Sequence, residues 1–204
     1  MTPVTSPLAP RDSARPPERP ARVARVAAEV LEARRRGQVC GDPDIQGEDL
    51  PDIDGPGACG VIAPVRLKSV LGVTFSNHPT MTCETARALK TWIERGVVPA
   101  MGSRGGGVDR LILMGDYTCR NQIGSGQSRL SEHALGHAVD IGGIRFEDGS
   151  TLMVEGGWPD RDLKQIHRAA CGIFGTVLGP EANEAHHNHL HLDVAQNRGG
   201  AYCR

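Results

Sequence analysis

The sequence predicts one loop-rich α+β domain stapled by disulfides and preceded by a basic, proline-rich arm. Three observations carry this. The 204 residues include 26 Gly and 14 Pro but only 3% aromatics, with 39% hydrophobic residues, a composition that is rich in turns yet able to build a core. Strand-length apolar runs alternate with segments of helical period. The 6 cysteines (Cys40, Cys59, Cys83, Cys119, Cys171, Cys203) are widely spaced, with no C-x-x-C pair. A cysteine zinc ribbon needs close pairs, so an even, dispersed set reads as up to three disulfides in an oxidising compartment. The spacing leaves their pairing open. It also leaves open the alternative of six reduced cysteines in a cytosolic protein.

Net charge is −1, which suggests neither a nucleic-acid nor an anionic-membrane partner. That balance hides an asymmetry, because residues 1–38 hold 8 Arg against 4 acids. No stretch approaches the length a membrane span needs, and no apolar run follows Met1 as a signal peptide would. An extracytoplasmic protein with this start is expected to have lost its signal or to be numbered downstream of it.

Along the chain, residues 1–21 contain 6 Pro and almost no large apolar residue, so a disordered Pro/Arg-rich tether is expected. Residues 22–39 form an N-terminal helical segment, with Val23, Val26, Val30 and Leu31 at helical spacing over 22–36 and Gly37 as its stop. Residues 40–204 form the main domain. Its first stretch, GDPDIQGEDLPDIDGPG, reads as a solvated acidic loop; Asp42, Asp44 and Gly47 begin like a calcium loop, but Ile53 stands where the bidentate Glu belongs. Val61–Val73 is short-strand material broken by Pro64 and Gly72. A helix is expected from Thr82 to Arg95, buried through Cys83, Ala86, Leu89 and Ile93 and stopped by Gly96. Leu111–Gly115 is an apolar strand. A third helix is expected from Asp160 to Leu178, burying Leu163, Ile166, Ala170, Ile173 and Val177.

The chemistry concentrates in two segments, Ser131–Asp140 and His186–Asp193, which hold 6 of the 8 histidines. If 188–194 is a strand, His189 and His191 point to one face, about 7 Å apart. Ala138-Val-Asp140 reads as another strand, with His133 delivered by the turn around Gly136. His133, Asp140 and His191 would then offer two nitrogens and one oxygen, the three-ligand set a catalytic zinc uses when its fourth position stays open. Manganese, nickel or iron also fits this donor mixture. His78, His137 and His167 read as surface or core residues. His186 and His187 read as loop residues, His187 joining the strand face only if the strand begins early.

The motif Ser131-x-His133-x-x-Gly136-x-Ala138-x-Asp140 with a downstream His189-x-His191 resembles the zinc peptidases grouped with lysostaphin, D-alanyl-D-alanine peptidases and hedgehog domains. Cys59-Gly, the helix after Cys83, Tyr117-Thr-Cys-Arg120, Arg129-Leu-Ser-Glu-His133 and the terminal Tyr202-Cys-Arg resemble more closely the bacterial extensin-like C-terminal domain. The resemblance covers about residues 40–204. It implies a small, mostly antiparallel sheet carrying the metal site, flanked by helices in the hedgehog/D-Ala-D-Ala peptidase manner. It assigns Zn2+ to His133, Asp140 and His191, places His189 beside the attacking water, and gives Arg120 the binding and polarisation of the substrate carbonyl. The D,D-carboxypeptidases of this group use a Glu where His189 stands; the nearest Glu here, Glu184, is seven residues before His191. Ser131 and Asp193 are candidates to orient the ligand imidazoles, although for Asp193 a structural role at the strand end is the stronger reading.

The resemblance thus implies a periplasmic zinc-dependent peptidase acting on peptidoglycan peptides, with the His-x-His form favouring an endopeptidase. A cell-wall-binding or structural module that keeps the metal without turnover is the alternative from another class, since fold alone does not fix function. A cytosolic amidase-like metalloenzyme would follow from reduced cysteines. Neither oligomeric state nor the bond cleaved is readable from the sequence.

Overall fold

The computed structural model describes residues 21–122, 129–195 and 199–204. The expected tether therefore lies outside the described residues, but for Ala21. The chain divides into two compact units, Met1–Ala33 and Arg34–Arg204. Helix α1 (Ala21–Arg36) carries Val23, Val26, Val30 and Leu31 exposed on its surface, and the chain has left the helix before β1 (Gln38–Val39).

The main unit is a mixed sheet with a few helices. Its first strands are β2 (Asp42–Asp49), β3 (Ile53–Asp54), β4 (Gly60–Val61), β5 (Val65–Val70), β6 (Val73–Phe75) and β7 (Thr80–Met81). Next come α2 (Cys83–Trp92), a π-helical turn Ile93–Val97 and α3 (Val98–Met101). Then follow β8 (Val108–Gly115), β9 (Ala138–Phe146), β10 (Thr151–Met153), α4 (Arg161–Ala170), β11 (Thr176–Leu178), β12 (Leu190–Asp193) and β13 (Tyr202–Cys203). Among the described residues an 11-stranded sheet runs in the order β1-β2-β5-β6-β8-β9-β12-β11-β13, with β7 also paired to β5 and β10 to β9, so it is larger than expected. Most pairs are antiparallel; β6–β8 and β11–β13 are parallel. Strand β9 is the spine. It pairs with β8 on one edge and with β12 and β10 on the other, and all but one of its residues are buried.

Three expectations need correction. The acidic stretch is not a loop: β2 pairs with β5 from Ile45↔Val70 to Asp49↔Val65, with a bulge at Gln46/Gly47. It survives as a strand because Ile45 is buried and Lys90 Nζ reaches Asp42 at 2.7 Å and Asp44 at 3.1 Å. The second helix does not stop at Gly96 but runs on to Met101. Gly96 faces α4, where a Cβ would come 2.9 Å from that of Ala169, so the glycine permits close helix packing instead of ending a helix. Trp92 seals the same contact, donating from Nε1 to the Ile166 carbonyl at 2.8 Å. The third helix ends at Ala170, because Cys171 is extended and bonded to Cys203; Val177 is buried as expected, but from strand β11.

All 6 cysteines pair, as Cys40–Cys83, Cys59–Cys119 and Cys171–Cys203. With no helix among the described residues long and apolar enough to cross a membrane, the three disulfides fit an extracytoplasmic domain.

Candidate metal centre

Asp140 and His191 reach the site from directly opposed positions on β9 and β12, while Gly115 of β8 opposes Asp140 on its other side. Opposed residues share a sheet face, so the three form one row. The middle of that row has no room for a side chain beside the carboxylate: a Cβ on Gly115 would run into Asp140 Oδ2. His133 comes from the short 3-10 turn Glu132–Leu135, closed by Gly136 at φ 67°. Thr82 N and Thr85 Oγ1 donate to the Gly136 carbonyl at 2.9 Å each, fixing that turn to the start of α2.

Three atoms converge. His133 Nε2 lies 3.2 Å from His191 Nδ1 and 3.2 Å from Asp140 Oδ1, and His191 Nδ1 lies 3.0 Å from the same oxygen. Ligand atoms around a tetrahedral zinc stand about 3.3 Å apart. His133 is 1% exposed, Asp140 6% and the His191 side chain 12%. Proton bookkeeping sharpens this. His133 Nδ1 is 2.8 Å from the Asp116 backbone carbonyl, which only accepts, so Nδ1 holds the hydrogen. His191 Nε2 faces Asp193 Oδ2 at 3.0 Å and donates to it. In these tautomers each ring turns its remaining nitrogen, together with a carboxylate oxygen, toward one point, an arrangement suited to a positive charge between them. These three residues could hold a metal ion.

The electrostatics agree. Burial works against charge on His191, but hydrogen bonds to Asp140 and Asp193 outweigh it and raise its pKa to about 9. Burial likewise opposes the Asp140 carboxylate, yet the hydrogen bonds with His133 and His191 hold its pKa well below the usual range. Without a metal, one proton shared at His191 supplies the charge that the cluster needs.

His189 immediately precedes β12. Its Nδ1 donates to Asn188 Oδ1 at 2.8 Å, leaving the Nε2 lone pair 3.6 Å from Asp140 Oδ1. Burial lowers its pKa, so the ring is neutral near pH 7 and can accept a proton. Arg120, His189, His191, Asp140 and Asp193 all line one cavity of about 380 Å³. Glu184 is outside that lining, exposed on the turn Glu184–His186, and Glu132 inside it is engaged by His137 Nδ1 at 3.1 Å.

Two orienting roles differ from expectation. Asp193 holds His191 through one oxygen and accepts from Ala195 N at 3.0 Å through the other, so it fixes both the strand end and the imidazole. Ser131 is buried, but among the described residues its side chain bonds neither ligand ring; the Asp116 carbonyl does that for His133. The loop histidines also sort unexpectedly. His187 is exposed, whereas the His186 ring lies 5.2 Å from that of His189 and 5.7 Å from that of His191. Gln122 and Arg129 also line the cavity; Arg129 opens the Arg129-Leu-Ser-Glu-His133 motif, which assigns it no role, and nothing in the local composition marks Gln122.

Fold and site together define an α+β, disulfide-bonded domain with a buried His–Asp–His centre suited to a metal ion. The family described as Extensin-like protein C-terminus matches residues 37–204, most of the chain, and the protein belongs to that family. No curated protein and no solved structure matches the chain significantly.

Proposed function

We propose that this protein is a zinc-dependent peptidase acting on peptidoglycan peptides, an endopeptidase of the lysostaphin, D-alanyl-D-alanine peptidase and hedgehog type. The observation that carries this reading is the convergence of His133 Nε2, His191 Nδ1 and Asp140 Oδ1, with both remaining ring nitrogens tied back, in a cavity that His189 also lines. Two nitrogens and one oxygen at these separations suit zinc. When bound there, zinc would supply a Lewis acid that makes water nucleophilic near neutral pH and polarises a carbonyl.

The chain's own groups do the rest. His189, neutral and with Nε2 free, takes the proton from the attacking water and carries it toward the leaving amine. Arg120 donates to the carbonyl oxygen as negative charge develops on it. Asp193 and the Asp116 carbonyl keep the ligand rings in the tautomers that present lone pairs inward. The peptidoglycan substrate and the endopeptidase preference are supported by the His-x-His motif and its resemblance to murein endopeptidases, and by a disulfide pattern suited to an extracytoplasmic space.

The test is to incubate zinc-loaded protein with cross-linked muropeptides, with and without chelator. New fragments that vanish with chelator are expected; tight metal and sacculus binding without product would replace this reading with a non-catalytic wall module. His191→Ala is expected to lose its zinc on dialysis. His189→Ala is expected to keep its zinc while turnover falls by about 10²-fold or more.

A further inference from the structure

Beyond Arg120, a second guanidinium faces the cavity, and backbone pairing explains why. Asn121 bridges Leu130 in antiparallel fashion, flanked by Gln122 N to Arg129 O at 2.9 Å and Ser131 N to Arg120 O at 3.1 Å. Side chains alternate across such a ribbon, so Arg120, Gln122, Arg129 and Ser131 share one face, and all four line the cavity that holds His189 and His191. The Cys59–Cys119 disulfide anchors the ribbon where it begins.

The charges on floor and wall are complementary in a useful way. On the floor, Asp140 and Asp193 are committed to the imidazoles. On the wall, among the described residues, Arg120 donates only to the neighbouring Asn121 carbonyl at 3.4 Å, and Arg129 has no side-chain partner. Arg66, Arg104 and Arg145 of this domain are by contrast paired, with Glu48, Asp160 and Asp109. Two guanidiniums without carboxylates, on one face of a tethered ribbon and beside a metal centre, form a planar-fork surface for an incoming anion.

We infer that this ribbon is the specificity wall of the site and that the substrate carries a free carboxylate, which Arg129 binds with Arg120 beside it. This rests on the peptidase reading above. The carboxylate flanks the scissile bond, so its capture turns the peptide to present its carbonyl carbon to the water that His189 activates. Arg129 is thus a substrate-binding residue, and the preferred peptides are acidic, not amidated.

The experiment uses zinc-loaded full chain with a cross-linked stem-peptide dimer and the same dimer with its free carboxylates converted to carboxamides. The wild type is expected to show a KM about tenfold lower for the carboxylate dimer, the size of one charge-assisted hydrogen bond. Arg129→Gln, with its zinc content checked to establish that it is folded, is expected to raise that KM until the two dimers are alike. Equal KM values in the wild type, or a preference that persists in Arg129→Gln, would overturn the inference. If neither dimer is cleaved, the peptidase reading falls. Dissociation constants for the two dimers, measured by calorimetry, then decide the carboxylate anchor by the same criteria.

Discussion

Asp140 and His191 are register partners across β9 and β12, and His191 Nδ1 lies 3.0 Å from Asp140 Oδ1. Two of the three candidate ligands are thus set by backbone hydrogen bonding at the centre of the sheet, not by a loop. Only His133 depends on a turn, and that turn is fastened to α2 by Thr82 and Thr85.

The same row makes Gly115 a sensitive uncharged position beside the site. Gly115→Ala places a methyl against the Asp140 carboxylate, which must turn away. The expected outcome is a folded protein destabilised by about 1–3 kcal/mol with a large loss of zinc affinity. Thermal unfolding together with metal titration reads both, and full metal affinity in the variant would show that the carboxylate does not ligate from this rotamer.

Asp193→Asn keeps the shape beside His191 but removes the carboxylate that fixes its Nε2 hydrogen. Zinc affinity is expected to fall by about 10- to 100-fold, as for other partners that orient metal-bound histidines. Competition with a chromogenic chelator measures it; an unchanged constant would reduce Asp193 to its bond with Ala195.

The convergence of the three candidate ligands was legible because Ser131–Asp140 and His186–Asp193 each fix local spacing, and strand pairing turns that spacing into a shared site. Much of what surrounds them was not. Strand β2 is acidic, and its Asp42 and Asp44 are met by Lys90, 48 residues away from Asp42. Gly96 reads locally as a helix stop, and only α4 reveals it as a packing surface. The end of the third helix is set by the Cys171–Cys203 bond, whose pairing the cysteine spacing leaves open. His186 and Arg129 enter the cavity through a tight turn and a bridged ribbon, both of which depend on the folded backbone.

A pH effect follows from His167, far from the metal ligands in sequence. Burial lowers its pKa below 6.5, against the opposing pull of its bond to the Arg204 carbonyl, with Glu181 and Arg168 the nearby charges. The unfolded chain therefore takes up this proton at higher pH than the folded one, so stability present above pH 6.5 is lost as pH falls toward the folded pKa. His167→Gln is expected to show a smaller drop in Tm from about pH 7 to about pH 5 than the wild type, whatever its absolute Tm. An identical drop in both proteins would mean that His167 does not couple to folding.

The disulfides give a further expectation. Unfolding without reductant should expose no titratable thiol. The Cys59–Cys119 bond spans 60 residues, for which chain entropy alone gives about 4 kcal/mol of stabilisation. The double serine variant is expected to lose stability of that order while still binding zinc, and to lose substrate affinity more than metal affinity, because the ribbon starts at Cys119. Equal losses of both would tie the bond to the metal shelf instead.

That ribbon has an implication for how such a domain can change. The three candidate ligands come from the sheet and the turn beneath the cavity, whereas Arg120, Gln122 and Arg129 project from a strap that contributes none of them. Anchor and reader are separate parts. On the proposed peptidase reading, rewriting the strap alone would retarget the site to neutral or cationic peptides and leave the candidate ligands below it intact, which makes it the natural segment for diversification in the laboratory.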